Sequence, residues 1–213
     1  MSRYDSHGNE AEFQPGSDDQ VLRNLVGIDS PDDMDELELG LLGQLYEDVL
    51  VQQLPDRRLL VEDLKTWHRL WLGNVYAWAG QERSVNLSKG DFLFAPAVQV
   101  QRLLAVFEKD CLSRWTPCRD LAEEALIEAI AVTHVEFILI HPFREGNGRL
   151  SRLLADVMAA QGGHGPLDYS SWEAEKAAYI GAIHAGLAGN YGPMCRCVAA
   201  AMGSSEADLN GPA

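Results

Sequence analysis

The stretch HPFREGNGRLSR, His141 to Arg152, collects one imidazole, one carboxylate, two glycines, an amide side chain and closely spaced guanidinium groups. That mixture suits a polyanion held next to a base. Gly146 and Gly148 can take positive φ and let a ligand approach the backbone closely. With a helix starting there, the amides of Gly146 to Arg149 become first-turn donors at the positive end of a helix dipole, a ready anion site. Asn147 lies between the glycines with an amide able to donate to the same anion. Arg149 and Arg152 are three positions apart and project on neighbouring faces of the turn. Two such forks beside a row of amides can hold a triphosphate. Glu145 makes sense there once Mg²⁺ is included, since that ion is commonly held by one carboxylate together with phosphate oxygens and water. His141 is the imidazole placed to take a proton from an attacking hydroxyl. Phe143 is expected to point inward and anchor the loop.

These residues need elements to position them, and helical spacing dominates the chain. Ser30-Pro31-Asp32-Asp33 is a start signal, with a Ser cap, Pro in the first turn and acids at the positive pole. The helix it opens is predicted over 31–53, with Leu37, Leu41, Leu45 and Val49 on its apolar side. A second is predicted over 61–72. A third covers 96–115 with Val98, Leu103, Leu104 and Phe107 on one side, and a fourth covers 121–140. The fourth is apolar on more than one face and therefore central, and Pro142 ends it by disfavouring helical dihedrals at His141. Further helices are expected over 149–160, 171–187 and after Pro193. Gly80 to Pro96 breaks this pattern: alternation about Ser88, Lys89, Gly90 and Asp91 suits a small β-hairpin. Such a hairpin would dock another chain or cover a site, and a plain connecting loop is the alternative. Residues 1–19 read as a flexible arm, 20–200 as one domain and 201–213 as a tail.

The motif resembles the signature of the Fic family, H-x-F-x-[D/E]-G-N-G-R-x-x-R, and His141, Phe143, Glu145, Gly146, Asn147, Gly148, Arg149 and Arg152 match every specified position. The Trp67-His68-Arg69 segment and the run from Gly73 to Gly80 resemble the stretch preceding this family's active-site flap, and the Ser88-Lys89-Gly90 tip fits the flap itself. The resemblance covers 20–200 and implies an all-α Fic-type helical domain with a β-hairpin flap over the active site. It further implies transfer of AMP from ATP to a Ser, Thr or Tyr hydroxyl of a protein, releasing pyrophosphate. In that reading His141 is the general base, Glu145 holds Mg²⁺, and Gly146, Asn147 and Gly148 form the anion hole. Arg149 and Arg152 grip the outer phosphates, and the flap at Ser88, Lys89 and Gly90 aligns the target as an added strand. Tyr179 is placed by the same resemblance at the adenine pocket; a packed helix aromatic is the alternative reading.

The resemblance also bears on regulation. Doc-type relatives, which move phosphate, replace the Gly-Asn-Gly-Arg run, whereas Gly148-Arg149 is intact here. Many Fic proteins carry an inhibitory [S/T]-x-x-x-E-[G/N] helix. Ser6 to Ala11 and Ser171 to Lys176 each fail that pattern at the last place. A separate antitoxin-like inhibitor protein is therefore expected.

Composition sets the outer limits. Seventeen Lys and Arg against thirty-two Asp and Glu give a formal charge of −15, a field that repels phosphodiester backbones and anionic membranes. Neither nucleic acid nor membrane is an expected partner. Cys111, Cys118, Cys195 and Cys197 show no zinc spacing. No leader-like apolar segment stands at the start, so a cytoplasmic location is expected. Two other classes stay open: a Fic-fold transferase of UMP or phosphate, or one that removes AMP; and a nucleotide-binding interaction module without turnover.

Overall fold

The computed structural model describes residues 5–7 and 12–203. The inhibitory near-match ending at Ala11 and the tail beyond Gly203 lie partly or wholly outside the described residues. Helix α1 (Pro31–Tyr46) runs into a wider π-helical turn, Glu47–Gln52, and α2 (Val61–Leu72) follows. A three-stranded antiparallel sheet joins β1 (Asp5–His7), β2 (Asn86–Lys89) and β3 (Phe92–Leu93) in that spatial order. Then come α3 (Val100–Phe107), a second π turn Glu108–Leu112, and α4 (Ser113–Trp115). The remaining elements are α5 (Glu123–Ile140), α6 (Asn147–Gln161), α7 (Ser170–Ala174), α8 (Lys176–Gly186) and α9 (Gly192–Met202).

Local chemistry explains most of these boundaries. Ser30 caps α1, its hydroxyl accepting the Asp33 N–H at 3.3 Å. Asp63 reaches back to the Leu60 N–H at 2.8 Å and closes the start of α2. Helix α5 buries residues around its whole girth, including Leu126, Ile130, Val135, Phe137 and Ile138, and packs against α3, α6, α8 and α9. A helix apolar on every side must sit at the centre, and α5 does. It stops at His141, whose φ of 51° and ψ of 60° are left-handed.

Three expectations are corrected. Val98, expected on the buried side of its helix, falls in a 3₁₀ turn ahead of α3 and is 93% exposed, while Val100 takes the buried place. The single helix expected over 171–187 divides into α7 and α8 at Glu175, whose ψ of 44° leaves the helical region. Residues 12–19, expected within a flexible arm, fold onto the domain. Pro15 and Gly16 occupy the two central positions of a turn closed by the Ser17 N–H to Gln14 O at 3.1 Å, with Gly16 at φ +91°. The pairing of Phe13 with Leu22 and the buried Val21 then tie the segment down. Pro and Gly mark a turn here rather than a loose chain.

Candidate active site

The motif loop is shaped from the inside. Asn147 is fully buried; its carbonyl accepts the Phe143 N–H at 2.9 Å and its amide donates to Phe143 O at 2.8 Å. Its side chain is thus spent closing the loop, and the expectation that this amide faces an anion is corrected. Gly146 has φ +81°, and a Cβ there would meet Trp71 Cζ3 at 2.7 Å. Its amide donates to Glu145 Oε1 at 2.9 Å. The first helical bond of α6 runs from the Leu150 N–H to Gly146 O. The open donors are therefore the amides of Asn147, Gly148 and Arg149, the expected set without Gly146. Gly148 is helical rather than left-handed, and a Cβ on it would meet nothing within 4 Å. The open space of the site begins there.

His68 holds the loop from below. Its Nδ1 accepts the Gly80 N–H at 2.8 Å, which leaves Nε2–H to donate to Glu145 O at 3.1 Å. Its ring stacks on Phe143 at 4.1 Å, so Phe143 does anchor the loop inward. Burial lowers the His68 pKa to about 4, against the upward pull of its bond to Glu145 O, with the Arg149 charge adding a smaller lowering. The ring is neutral at physiological pH and acts as a fixed strut.

His141 is built differently. Its ring is 3% exposed, and Nδ1 lies 3.1 Å from Ile138 O. A carbonyl can only accept, so Nδ1 carries the proton and Nε2 keeps the basic lone pair. Phe94, just beyond β3, stacks on the ring at 3.8 Å. Burial drives the pKa to about 3, opposed by the Ile138 bond and helped by the charges of Arg83 and Lys89. Lys89 at the flap tip therefore acts on the His141 imidazole electrostatically.

Sequence reasoning missed the residue joining flap to base. Arg83 is 3% exposed and donates to His141 O, Val85 O, Ala95 O and Ile140 O at 2.6, 2.6, 2.5 and 3.2 Å. One guanidinium thereby links both ends of the hairpin to the C-terminus of α5. Its signal was faint: a lone Arg three residues after the Trp78-Ala79-Gly80 turn.

The two motif arginines already hold partners. Arg149 Nη2 donates to Glu38 Oε2 at 2.6 Å, lies 3.6 Å from Glu145 Oε1, and its guanidinium sits 4.6 Å over the Trp71 ring. Glu38, also missed, is buried on α1 and accepts Tyr76 Oη–H at 2.7 Å. Arg152 Nη1 donates to Glu173 Oε1 at 3.0 Å and sits 5.0 Å over the Tyr169 ring. Tyr179 stacks on Trp172 at 5.0 Å, and its hydroxyl is 2.8 Å from His134 Nε2. It belongs to an aromatic cluster beside α6 rather than to the motif loop. Ser88, Lys89 and Gly90 form the hairpin tip, where Gly90 has φ +58°. Among the described residues, no three His, Cys, Asp or Glu cluster as a metal site. No described helix is long and apolar enough to cross a membrane.

The Fic/DOC family model matches residues 58–159. Over 181 residues the chain is 29% identical to the probable protein adenylyltransferase y4lH of Sinorhizobium fredii, covering 84% of this chain and 89% of that one. It is 25% identical over 195 residues to the probable protein adenylyltransferase Fic of Escherichia coli, covering 89% and 90%. It spans about a third of the longer fic-1 protein of Caenorhabditis elegans, at 26% identity over 87% of this chain. A Fic domain of a Bartonella sp. AR 15-3 effector superposes with a TM-score of 0.74 at 20% identity over 97% of both chains. BepC of Bartonella tribocorum, crystallised with AMPPNP, superposes at 0.71 and 21% identity, covering 89% of this chain and 94% of that one. Residues 58–159 are similar to the Fic/DOC family, and the fold is the mainly helical Fic domain with a hairpin flap.

Proposed function

We propose that the chain is a protein adenylyltransferase, moving AMP from ATP to a Ser, Thr or Tyr hydroxyl of a target protein. One observation carries this: the basic Nε2 of His141, its tautomer fixed by Ile138 O, stands one short loop before the open first turn of α6. The amides of Asn147, Gly148 and Arg149 take phosphate oxygens at the helix's positive end. Arg149 and Arg152 grip the outer phosphates, exchanging Glu38 and Glu173 for them in part. His141 Nε2 accepts the proton of the target hydroxyl as its oxygen attacks the α-phosphorus. The bond from that phosphorus to the bridging oxygen breaks, and pyrophosphate leaves. The flap at Ser88, Lys89 and Gly90 aligns an extended segment of the target as an added strand.

Glu145 is the residue that would hold Mg²⁺. Its carboxylate, 12% exposed, is fixed by the Gly146 N–H immediately beside the first-turn amides, which suits an ion taking one carboxylate plus phosphate oxygens. When bound, the ion would neutralise charge on the phosphates. Tyr179 is a candidate wall of the adenine site. A separate small inhibitor protein remains the proposed means of restraint, and a cytoplasmic setting the proposed location.

Phosphate transfer is the competing reading, and α-labelled against γ-labelled ATP separates the two. Incubation with Mg²⁺ and cell lysate should put α-label, not γ-label, on protein, and His141→Ala should abolish it. Label arising only from γ-labelled ATP would replace this reading with phosphoryl transfer.

A further inference from the structure

Strand β2 is the middle of the flap sheet, not its edge. β3 pairs with one side, and the segment Asp5–His7 pairs antiparallel with the other: Asp5 opposite Ser88, Ser6 opposite Leu87, His7 opposite Asn86. An open strand edge is a row of amides and carbonyls that recruits extended chains, and one edge carries one added strand. We infer that Asp5–His7 is an intramolecular placeholder on the edge where the target strand docks, so that a target must displace it before transfer. The occupant is given by the pairing itself; its effect on transfer rests on the adenylyltransferase reading above.

The register supports the placeholder role. Opposed positions of an antiparallel pair share a face of the sheet. The position opposite Ser6 is Leu87, the buried residue of β2, which packs with Val85 and Phe94. Phe94 in turn stacks on the His141 ring. Leu87 thus marks the register position on the catalytic face. A target strand in the same register would present its residue opposite Leu87 to that face.

The placeholder is suited to displacement. Three paired residues are marginally stable, yet a tethered segment competes at an effective concentration around the millimolar range. An occupied-to-open ratio of about 1–10 would raise the apparent KM for a protein target by about 2–10-fold. The phosphate-binding groups sit on α6, so the KM for ATP should not move.

The test compares the full chain, a chain lacking residues 1–11, and a His7→Pro variant, since His7, opposite Asn86, holds a hydrogen-bonded ladder position and proline cannot donate there. Residues 12–23 keep their own ties in the shortened form. Hydrogen exchange is followed across Asn86–Lys89. Labelling by α-labelled ATP is followed against increasing lysate protein and, separately, increasing ATP. Faster exchange in both altered chains, with about 2–10-fold less lysate protein needed for half-maximal labelling at unchanged ATP dependence, supports the placeholder. Equal exchange in all three overturns it, as does faster exchange with the same lysate dependence. If exchange differs while no chain labels any protein, the transferase reading fails and the occupancy of the edge stands.

Discussion

Arg83 Nε donates to the carbonyl oxygen of His141 at 2.6 Å, so His141 is positioned from the flap and not only from its own helix. The same guanidinium holds Val85, Ala95 and Ile140. Arg83→Ala leaves four buried carbonyls short of a donor, and hydrogen bonds to charged groups contribute about 1.5–3 kcal/mol each before compensation. A net loss of about 3–4 kcal/mol is expected, or a fall in Tm of roughly 6–15 °C for a chain of this size. Arg83→Lys, which cannot fork, should recover only part of it. Calorimetric melting checks this; an unchanged Tm in Arg83→Ala would show that water replaces the guanidinium.

Gly146 and Gly148 should behave oppositely although the motif treats them alike. At Gly146 an added Cβ has both an unfavourable φ and Trp71 at 2.7 Å. Gly146→Ala should cost about 1–3 kcal/mol. At Gly148 the backbone is helical and the space empty, so Gly148→Ala should be neutral or stabilising by up to about 1 kcal/mol. Its methyl nevertheless stands over the open amides, and ATP affinity should fall about tenfold or more. Melting and titration calorimetry on the two variants separate shape from ligand space; a Gly148→Ala chain that binds ATP normally would move the phosphates elsewhere.

How much of this could be read in the sequence depends on which groups act locally. The glycines, the helix start and the end of α5 before Pro142 follow from rules over a few residues, and so do α1, α2 and the hairpin; the left-handed turn at His141 does not, since a residue before proline favours extended backbone. Glu38 was legible in principle, as an acid in line with Met34 and Leu45 on a buried stripe. Its partner lies 111 residues away, and no local rule supplies it. Arg83 and His68 act on backbone carbonyls of a distant loop, and carbonyls carry no sequence signature. The motif asparagine misled for a related reason: its type suits a ligand and a loop closure equally, and only the position of Phe143 decides between them.

Three buried imidazoles give the fold a one-sided pH dependence. His68 and His134 are lowered to about 4 and His141 to about 3, burial being the first cause in each. A histidine neutral when folded and titrating near 6.5 when unfolded leaves the unfolded state with more protons below that pH. Their contribution is complete above pH 6.5 and is lost as pH falls from 6.5 toward 4. Each can add about 1.4 kcal/mol per pH unit within that window. Urea unfolding at pH 7, 6 and 5 should show stability falling with each step. A flat profile would mean that the imidazoles gain solvent in the folded chain.

The partners of the two motif arginines differ in burial. Glu38 is 3% exposed in its side chain and bonds both Arg149 and Tyr76. Glu38→Gln turns an amide donor toward a guanidinium and should cost about 1–3 kcal/mol. Glu173 is 68% exposed, and its pair with Arg152 is solvated, so Glu173→Gln should change stability by less than about 1 kcal/mol. If Arg152 grips the outer phosphates as proposed, Glu173 competes with them for its guanidinium. Freeing that guanidinium should raise affinity for ATP about 2–5-fold, because a solvated ion pair is worth up to about 1 kcal/mol, and leave affinity for AMP unchanged, because AMP lacks the outer phosphates. Titration calorimetry with both nucleotides decides it. An equal gain for AMP and ATP would place Arg152 on the α-phosphate instead, and no gain for either would remove it from the phosphate site.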